Sequence, residues 1–406
     1  MSGPLTGVRV VDVSAMVAGP FSTMILAEQG ADVIKIEPLQ GDALRSDHTH
    51  GHEINALSFN SNRAKRSIAV NLKDPRGLQI AERLVARADV FVENFRAGVV
   101  ERIGLGYEKL SAGNPRLVYV RSSGLGPRGP GAGHRVYDPV IQAKVGLCHL
   151  QDEARGPQLV NTLIVDKLAP TLISQAITAA LYERSVSGRG QYIEQSMLHA
   201  MLWWMWPDMM VTHTYTADDD TDERPPFYGP PLIYATTDGH IVVVAGTDPD
   251  WRALCTAVER LDLVDDSRFS AIQGRIENAV EFGEIFAKEF GKASTATWGR
   301  RLANAGATFT VVNTPRDVLT DEQICANDMI TLIDSEAFGQ VRVPTPAARF
   351  SRTPAATSLS PRLGQHTEDI LSEIGYSADE RSALLADGVV RQFSRPGSKP
   401  KPPQSA

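Results

Sequence analysis

Val8-Arg9-Val10-Val11-Asp12-Val13 is a short run of mostly β-branched residues. This pattern is typical of a parallel strand that is buried on both faces. Ala18-Gly19-Pro20 then begins a helix, in which an early proline costs no hydrogen bond, and Gly30 ends it. Ala31-Asp32-Val33-Ile34-Lys35-Ile36-Glu37 reads as the next strand. These residues therefore predict the first strand–helix–strand unit of a Rossmann-like sheet.

The turn after the first strand argues against a nicotinamide cofactor. The second strand ends on Glu37, as it does in a dinucleotide-binding unit. The phosphate-binding turn of such a unit carries three glycines, however, and only Gly19 is present here. We therefore expect no nicotinamide cofactor.

Further strands alternate with helices along the chain. A helix is predicted from Asp74-Pro75, a strand at Ala88–Glu93 and another at Arg116–Val120. The alternation predicts an α/β fold, with a large Rossmann-like parallel-sheet domain and a smaller α+β domain. The predicted boundaries are 1–205 for the first part of the large domain, 206–226 for an acidic linker, 227–325 for the small domain, 326–392 for a return to the large domain and 393–406 for a disordered tail.

Composition excludes several classes of function. The 406-residue chain carries a net charge of −7, which argues against a nucleic-acid partner or a membrane-surface partner. The N-terminus lacks the features of a signal peptide, and no apolar run is long enough to span a bilayer. Cys148, Cys255 and Cys325 form neither a metal spacing nor a disulfide framework. We therefore expect a cytoplasmic protein without a metal.

One acidic residue stands out from its surroundings. Asp166 ends Leu163-Ile164-Val165-Asp166, after the break at Gly156-Pro157 and just before a long apolar helix predicted from about Leu168 to Ser185. A carboxylate in this place must be solvated, paired or used in chemistry. From its position alone, Asp166 is more readily explained as the N-cap of that helix.

Several motifs occur in an order that resembles the class III CoA transferases, a family that also includes α-methylacyl-CoA racemases. They are, in chain order, Leu5–Asp12, Ala18-Gly19-Pro20, Gly30–Glu37, Asn62–Ile68, Glu93-Asn94-Phe95-Arg96, Gly188-Arg189-Gly190-Gln191 and Leu363–Thr367. The resemblance covers nearly the whole chain. It implies an interlocked homodimer that acts on an acyl-CoA and a free carboxylic acid.

The resemblance also assigns roles to individual residues. It implies that Asp166 is the covalent nucleophile and that Tyr137 lies in the catalytic site. Coenzyme A would be bound by two groups of residues, which are Lys73 and Arg102 for its phosphates or ribose and Asn94, Phe95 and Arg96 near its adenine and pantetheine. Val17 and Ala18, at the Ala-Gly-Pro turn, would also contact CoA.

Local charge agrees with an anionic ligand of this kind. The stretch from Ser61 to Arg102 holds nine Lys/Arg against five Asp/Glu, in a chain that is acidic as a whole. Such a patch would attract the phosphates of CoA. Arg63, Lys65 and Arg66 could equally form an ordinary solvated face.

The departures from the family leave alternatives open. Racemases of the family carry a His-Asp pair where this chain has Tyr137-Asp138, and tyrosine titrates too high for proton transfer near neutral pH. His134 lies close enough to keep a racemase as an alternative, and a catalytically silent acyl-CoA-binding protein is another. Val17 cannot hydrogen-bond a dicarboxylate, which disfavours exchange between formyl-CoA and oxalate.

A cluster of aromatic residues follows the Gly188-Arg189-Gly190-Gln191 motif. Trp203, Trp204 and Trp206 could form a cage for a quaternary ammonium. We instead expect them to fill the core or a subunit interface.

Overall fold

The computed structural model describes residues 3–45, 54–151, 156–216 and 232–394. The chain divides into two compact units, with boundaries between Trp204 and Met205 and between Asn327 and Asp328. The large unit consists of the chain before Met205 and after Asn327, and the small unit is the segment Met205–Asn327. Residues 217–226 of the predicted linker and 395–406 of the predicted tail lie outside the described residues.

The described residues form twelve strands and fifteen α-helices. The strands are β1 (Arg9–Asp12), β2 (Asp32–Glu37), β3 (Arg66–Val70), β4 (Val90–Glu93), β5 (Val118–Ser123), β6 (Tyr192–Ser196), β7 (Ile233–Ala235), β8 (His240–Val244), β9 (Thr308–Val311), β10 (Ile330–Ser335), β11 (Gly339–Pro344) and β12 (Val390–Arg391). The helices are α1 (Ala18–Glu28), α2 (Ala56–Ser61), α3 (Pro75–Val85), α4 (Val99–Arg102), α5 (Tyr107–Gly113), α6 (Asp138–Lys144), α7 (Val165–Ser187), α8 (Met197–Met209), α9 (Asp248–Ala257), α10 (Ile272–Glu277), α11 (Ala279–Phe290), α12 (Thr295–Ala305), α13 (Glu322–Ala326), α14 (Thr367–Glu373) and α15 (Ala378–Ala386).

A seven-stranded sheet organises the large unit. Its order is β12-β3-β2-β1-β4-β5-β6, and every pairing is parallel except that of β12 with β3. The six parallel strands follow the 3-2-1-4-5-6 order of doubly wound folds. In such sheets ligands bind outside the carboxyl ends of the strands where the order reverses, which here is between β1 and β4.

Alternating side chains of the strands build a core on each face of this sheet. Val10 and Val33 pack on one face with Ile173 and Ile177 of α7. The opposite face buries Val11 and Ile34, among others, against α3, α14 and α15. Because both faces are covered, the central strands are rich in apolar residues, as the sequence of β1 predicted.

The small unit is built around an antiparallel sheet of order β7-β8-β9. The turn between β7 and β8 contains Asp238-Gly239, where the sequence predicts a hairpin turn. Its core is largely aromatic, with Trp251, Phe286 and Trp298 each at most 2% exposed. In the part of the chain that the structure describes, no helix is both long and apolar enough to cross a membrane.

The predicted α/β fold with a large parallel sheet is confirmed, and the interlocked dimer remains a prediction. One difference in element bounds bears on the site: α7 begins at Val165 rather than near Leu168. Asp166 therefore lies inside the first turn of the helix and is not its N-cap.

Candidate active site

A cavity of about 740 Å³ lies at the carboxyl ends of β1, β4 and β5. The segments that follow these strands form much of its wall, namely residues 15–18, 94–97 and 124–127. Residues 121–123 and 132–137, together with Asp166, Glu194 and Met197, complete the lining. The cavity thus lies where the strand order reverses, as expected for the ligand site of such a sheet.

Asp166 has a half-buried carboxylate that faces this cavity. Among the described residues, nothing hydrogen-bonds or ion-pairs with its side chain, so its oxygens remain available to a substrate. Burial, with a smaller contribution from the negative charge of Asp138, raises the pKa of Asp166 to about 6. The group is therefore ionised at neutral pH but poorly solvated, which suits a carboxylate nucleophile.

Asp138 holds the start of α7 in place. Its Oδ2 accepts hydrogen bonds from the backbone N–H of Val165 (2.7 Å) and of Asp166 (3.0 Å), so it caps α7 from another helix. Its Oδ1 accepts a bond from Gln142, whose own Oε1 accepts one from the N–H of Val160. Asp138 is fully buried, and it fixes the backbone that carries Asp166.

The loop between β1 and α1 forms another wall of the cavity and is fixed by side chains from other segments. Asn94 accepts a bond from the N–H of Ala15 and donates one to its carbonyl, both at 2.8 Å. Asp42 accepts from the N–H of Met16, a residue with a positive φ of 66°. The first turn of α1, with Val17 and Ala18, is thereby presented to the cavity.

A buried ion cluster lies beneath the same loop. The Nζ of Lys65 bonds Asp12 at 3.0 Å and the carbonyl of Pro20 at 2.7 Å, and the Nζ of Lys35 bonds the carbonyl of Ser14 at 2.7 Å. Burial alone would raise the pKa of Asp12, but the two ammonium groups outweigh it and hold that pKa below its usual range. Burial lowers the pKa of Lys65 to about 8.

The interpretation of Arg63, Lys65 and Arg66 as a solvated face is wrong. Arg63 and Lys65 are buried in ion pairs with Glu28 and Asp12, and Arg66 is half-buried between Asp32 and Glu373. Carboxylates of the protein itself therefore neutralise the positive charge of these three residues.

A second carboxyl with a raised pKa lies just behind the cavity wall. Glu93, at the end of β4, is fully buried, and burial raises its pKa to about 7 even though the N–H of Phe95 bonds it. Its Oε1 has no hydrogen-bond partner among the described residues and lies 3.6 Å from the Nε of Arg121. Arg121 itself lines the cavity.

The cavity brings together most of the residues that the sequence singled out. Seven of them line it, namely Val17, Ala18, Asn94, Phe95, Arg96, Tyr137 and Asp166. Lys73 and Arg102 do not line it; both are exposed, Lys73 after β3 and Arg102 at the end of α4. The polar groups of Asn94 are already bonded to Ala15, and Phe95 packs partly against the core.

Sequence reasoning gave no role to Asp138 or to the arginines at positions 121 and 135. Asp138 precedes a proline and so resembles an ordinary helix start, and nothing local shows that it caps a helix 27 residues later. Trp203, Trp204 and Trp206 are exposed in the single chain and do not line the cavity, so the structure places them neither in the core nor in a cage at this site.

Comparison with known proteins agrees with this geometry. Residues 5–367 match the family model described as CoA-transferase family III. The chain belongs to this family. The expected enzyme class, which transfers CoA between an acyl-CoA and a carboxylic acid, is thereby confirmed.

Curated members of the family are similar over nearly their full length. Succinyl-CoA:glutarate CoA-transferase of Mus musculus is 33% identical, over 96% of this chain and 91% of that protein. Succinate–glutarate CoA-transferase of Agrobacterium fabrum is 31% identical, over 91% and 96%. Succinyl-CoA–D-citramalate CoA-transferase of Chloroflexus aurantiacus is 30% identical, over 95% and 98%.

Solved structures show the same fold. A CaiB/BaiF family protein from Brucella suis superimposes with a TM-score of 0.82 at 30% identity, over 92% of this chain and all of that one. The protein Rv3272 from M. tuberculosis gives a TM-score of 0.80 at 28% identity, over 91% and 99%.

Proposed function

We propose that this family III enzyme moves CoA from a dicarboxylic acyl-CoA to a second carboxylic acid, with Asp166 as the covalent nucleophile. The observation that carries the proposal is the state of Asp166, a half-buried carboxylate without a protein partner among the described residues that faces the cavity. An ordinary structural aspartate at a helix start would bond the free backbone amides, and here Asp138 does so instead.

The first half of the reaction loads CoA onto the enzyme. An Oδ of Asp166 attacks the thioester carbonyl of the donor. The C–S bond breaks, CoA leaves as its thiolate, and the donor acyl group is left joined to Asp166 as a mixed anhydride. The thiolate then attacks the side-chain carbonyl carbon of Asp166 and releases the donor acid as a carboxylate. This leaves an aspartyl-CoA thioester, and the covalent route divides one difficult exchange into easier steps.

The second half reverses these steps with the acceptor. The acceptor carboxylate attacks the aspartyl thioester, releases CoA thiolate and forms a second anhydride. The thiolate attacks the acceptor's acyl carbon and returns Asp166 as a carboxylate. Oxyanions that develop along the way would be stabilised by backbone N–H groups in the first turn of α1, beside Val17 and Ala18.

The proposed substrate class rests on the relatives. The three curated relatives described above are named for succinyl-CoA with glutarate, succinate with glutarate, and succinyl-CoA with D-citramalate, all dicarboxylic acids. We therefore propose a dicarboxylyl-CoA donor and place its CoA along the loops that contain Val17, Ala18, Asn94, Phe95 and Arg96. Lys73 and Arg102 would contact only parts of CoA that extend beyond the cavity.

A transfer assay tests this function. The protein is incubated with succinyl-CoA and ¹³C-labelled glutarate, and the products are separated by mass. Labelled glutaryl-CoA with matching release of succinate is expected. Hydrolysis to free CoA, or no reaction across a panel of short dicarboxylates and monocarboxylates, would contradict the proposal.

One observation keeps a racemase as a second candidate. His134 lines the same cavity as Asp166 and Tyr137, so an imidazole and a carboxylate, two kinds of side chain that act as acid/base groups, share it. A racemase would exchange the α-proton of a 2-methylacyl-CoA for deuterium in D₂O without moving CoA between acids. A transferase is expected to move CoA between acids without exchanging the α-proton.

We further propose that the protein is a cytoplasmic homodimer. The family resemblance supports the dimer. The three cysteines are free thiols, which is consistent with a reducing compartment.

A further inference from the structure

We infer that Arg135 selects substrates that carry a second carboxylate, by binding that group while the first one reacts at Asp166. This inference rests on the proposed function and adds to it the residue responsible for substrate choice.

The charged side chains that line the cavity differ in whether their charge is already used. Arg121 is held by Glu93 and by Glu101, at 3.6 Å each. Arg135 has no ion-pair partner among the described residues and is exposed. Arg96 likewise has no ion-pair partner in the described part of the chain, but it belongs to the loop after β4, where CoA is proposed to bind.

Arg135 is connected to the reacting carboxylate by a short path through Asp138. It precedes Asp138 by three residues, and Asp138 bonds the N–H of Asp166 at 3.0 Å. Three residues of extended chain span roughly 10 Å, so the Arg135 backbone stays within that distance of Asp138. An arginine side chain attached there can reach a small acid held at Asp166.

The guanidinium of Arg135 is already oriented by an aromatic ring. Its central carbon lies 5.0 Å from the centroid of the Tyr137 ring, a cation–π arrangement. Stacking on a ring leaves the edge of the guanidinium free to donate two parallel hydrogen bonds to a carboxylate. Ordering the side chain before binding also reduces the entropy that is lost on binding.

Asp166 has no cationic partner among the described residues. Burial and Asp138 raise the pKa of Asp166, and no lysine or arginine in the described part of the chain offsets them. Arg135 therefore does not neutralise the nucleophile, although both residues line one cavity. A dicarboxylate can thus present one carboxyl to Asp166 and the other to Arg135 without competition between the two protein groups.

The test compares acids that differ only in the second carboxylate. Transfer from succinyl-CoA to glutarate and to valerate is measured for the wild type, Arg135→Gln, Arg135→Lys and Arg128→Gln. Arg128 is an exposed arginine of the same loop that does not line the cavity, so it is the matched control.

Because the donor also carries a second carboxylate, it is held saturating and the comparison uses kcat/KM for the acceptor. Arg135→Gln is expected to lower this value for glutarate roughly 10- to 100-fold and to change it little for valerate. For glutarate, the kcat/KM of Arg135→Lys should lie between those of the wild type and Arg135→Gln. The kcat/KM of Arg128→Gln should match that of the wild type. An equal loss for both acids, or no loss for either, would overturn the inference.

A binding measurement separates this inference from the proposed function. Calorimetry compares succinyl-CoA with butyryl-CoA, which has the same chain length but no second carboxylate. If the wild type transfers CoA to no acid, the proposed function fails. If Arg135→Gln binds succinyl-CoA more weakly but binds butyryl-CoA as the wild type does, the role of Arg135 is still supported. Equal weakening of both thioesters would indicate that Arg135 contacts CoA itself and would overturn the inference.

Discussion

The carboxylate of Asp166 lies in the first turn of a long helix, where the helix dipole would ordinarily favour its charged form. Burial and Asp138 instead raise its pKa to about 6, well above the ordinary value for an aspartate. The folded protein therefore binds this proton more tightly than the unfolded chain does. Between about pH 4 and pH 6 the contribution of Asp166 to stability falls as pH rises, and above that range the ionised group remains unfavourable.

Asp166→Asn removes the unfavourable burial of a charged carboxylate, so the variant should be more stable than the wild type at pH 7.5. The free energy of unfolding is expected to rise by roughly 1–3 kcal/mol, toward the lower end of this range because solvent reaches the cavity. Urea unfolding at pH 4 and at pH 7.5 measures it, with the exposed Asp265→Asn as control. A gain that is the same at both pH values would show that charge is not its cause.

Asp138 combines two effects on Asp166, which a conservative variant separates. Asp138→Asn keeps an oxygen that can accept from Val165 and Asp166 but removes the negative charge, so the pKa of Asp166 should fall. The rising limb of the pH–rate profile for CoA transfer is then expected to move to lower pH. A lower rate with an unmoved profile would mean that Asp138 acts only through the backbone.

At the level of elements, the close approach of α1 to the loop before it depends on one glycine. A Cβ at Gly19 would lie 2.3 Å from the Cβ of Ser14, whose hydroxyl bonds Asp12. Gly19→Ala should therefore displace the wall of the cavity, lower transfer activity and cost about 1–3 kcal/mol of stability.

Gly113→Ala is the matched control for this prediction, because Gly113 ends α5, is exposed and has no atom within 4 Å of an added Cβ. This control should be neutral or slightly stabilising, since alanine favours a helix over glycine. Chemical denaturation and the transfer assay of both variants provide the comparison. Equal effects of the two substitutions would contradict the explanation.

The sequence was most informative where one local pattern dictates one element. The apolar run at Val8–Val13 predicted β1, and Gly30 marked the end of α1 within two residues. The start of α7 was less predictable, because Pro170 falls in its interior and lacks the N–H that would bond the carbonyl of Asp166. The tertiary bonds from Asp138 stabilise that first turn, and no local pattern encodes them.

At the level of the whole molecule, the family motifs indicated a site that the fold then assembles from distant segments. Val17, Asn94, Tyr137 and Asp166 line one cavity because parallel strands bring their following loops to one edge. Arg63 and Lys65 could not be assigned in this way, because a basic residue looks the same in sequence whether it is solvated or buried beside a carboxylate.

The exposed tryptophans lead to a prediction about assembly. Trp203, Trp204 and Trp206 are 63%, 48% and 42% exposed in the single chain. Monomeric proteins rarely expose several large apolar side chains side by side. A homodimer that covers them is expected. Size-exclusion chromatography with light scattering should give about twice the 44.1 kDa mass of the chain, unchanged on dilution. A mass of one chain would contradict the dimer.

Covalent chemistry at Asp166 is the central claim, and trapping it is the most direct test. The enzyme is mixed with succinyl-CoA and quenched with hydroxylamine, which converts an activated carboxyl to a hydroxamate. The peptide that contains Asp166 is then examined by mass spectrometry, with Asp166→Asn as control. We expect a hydroxamate on Asp166 that requires the acyl-CoA and is absent from the variant. An unmodified Asp166 peptide in an enzyme that transfers CoA under the same conditions would contradict the account.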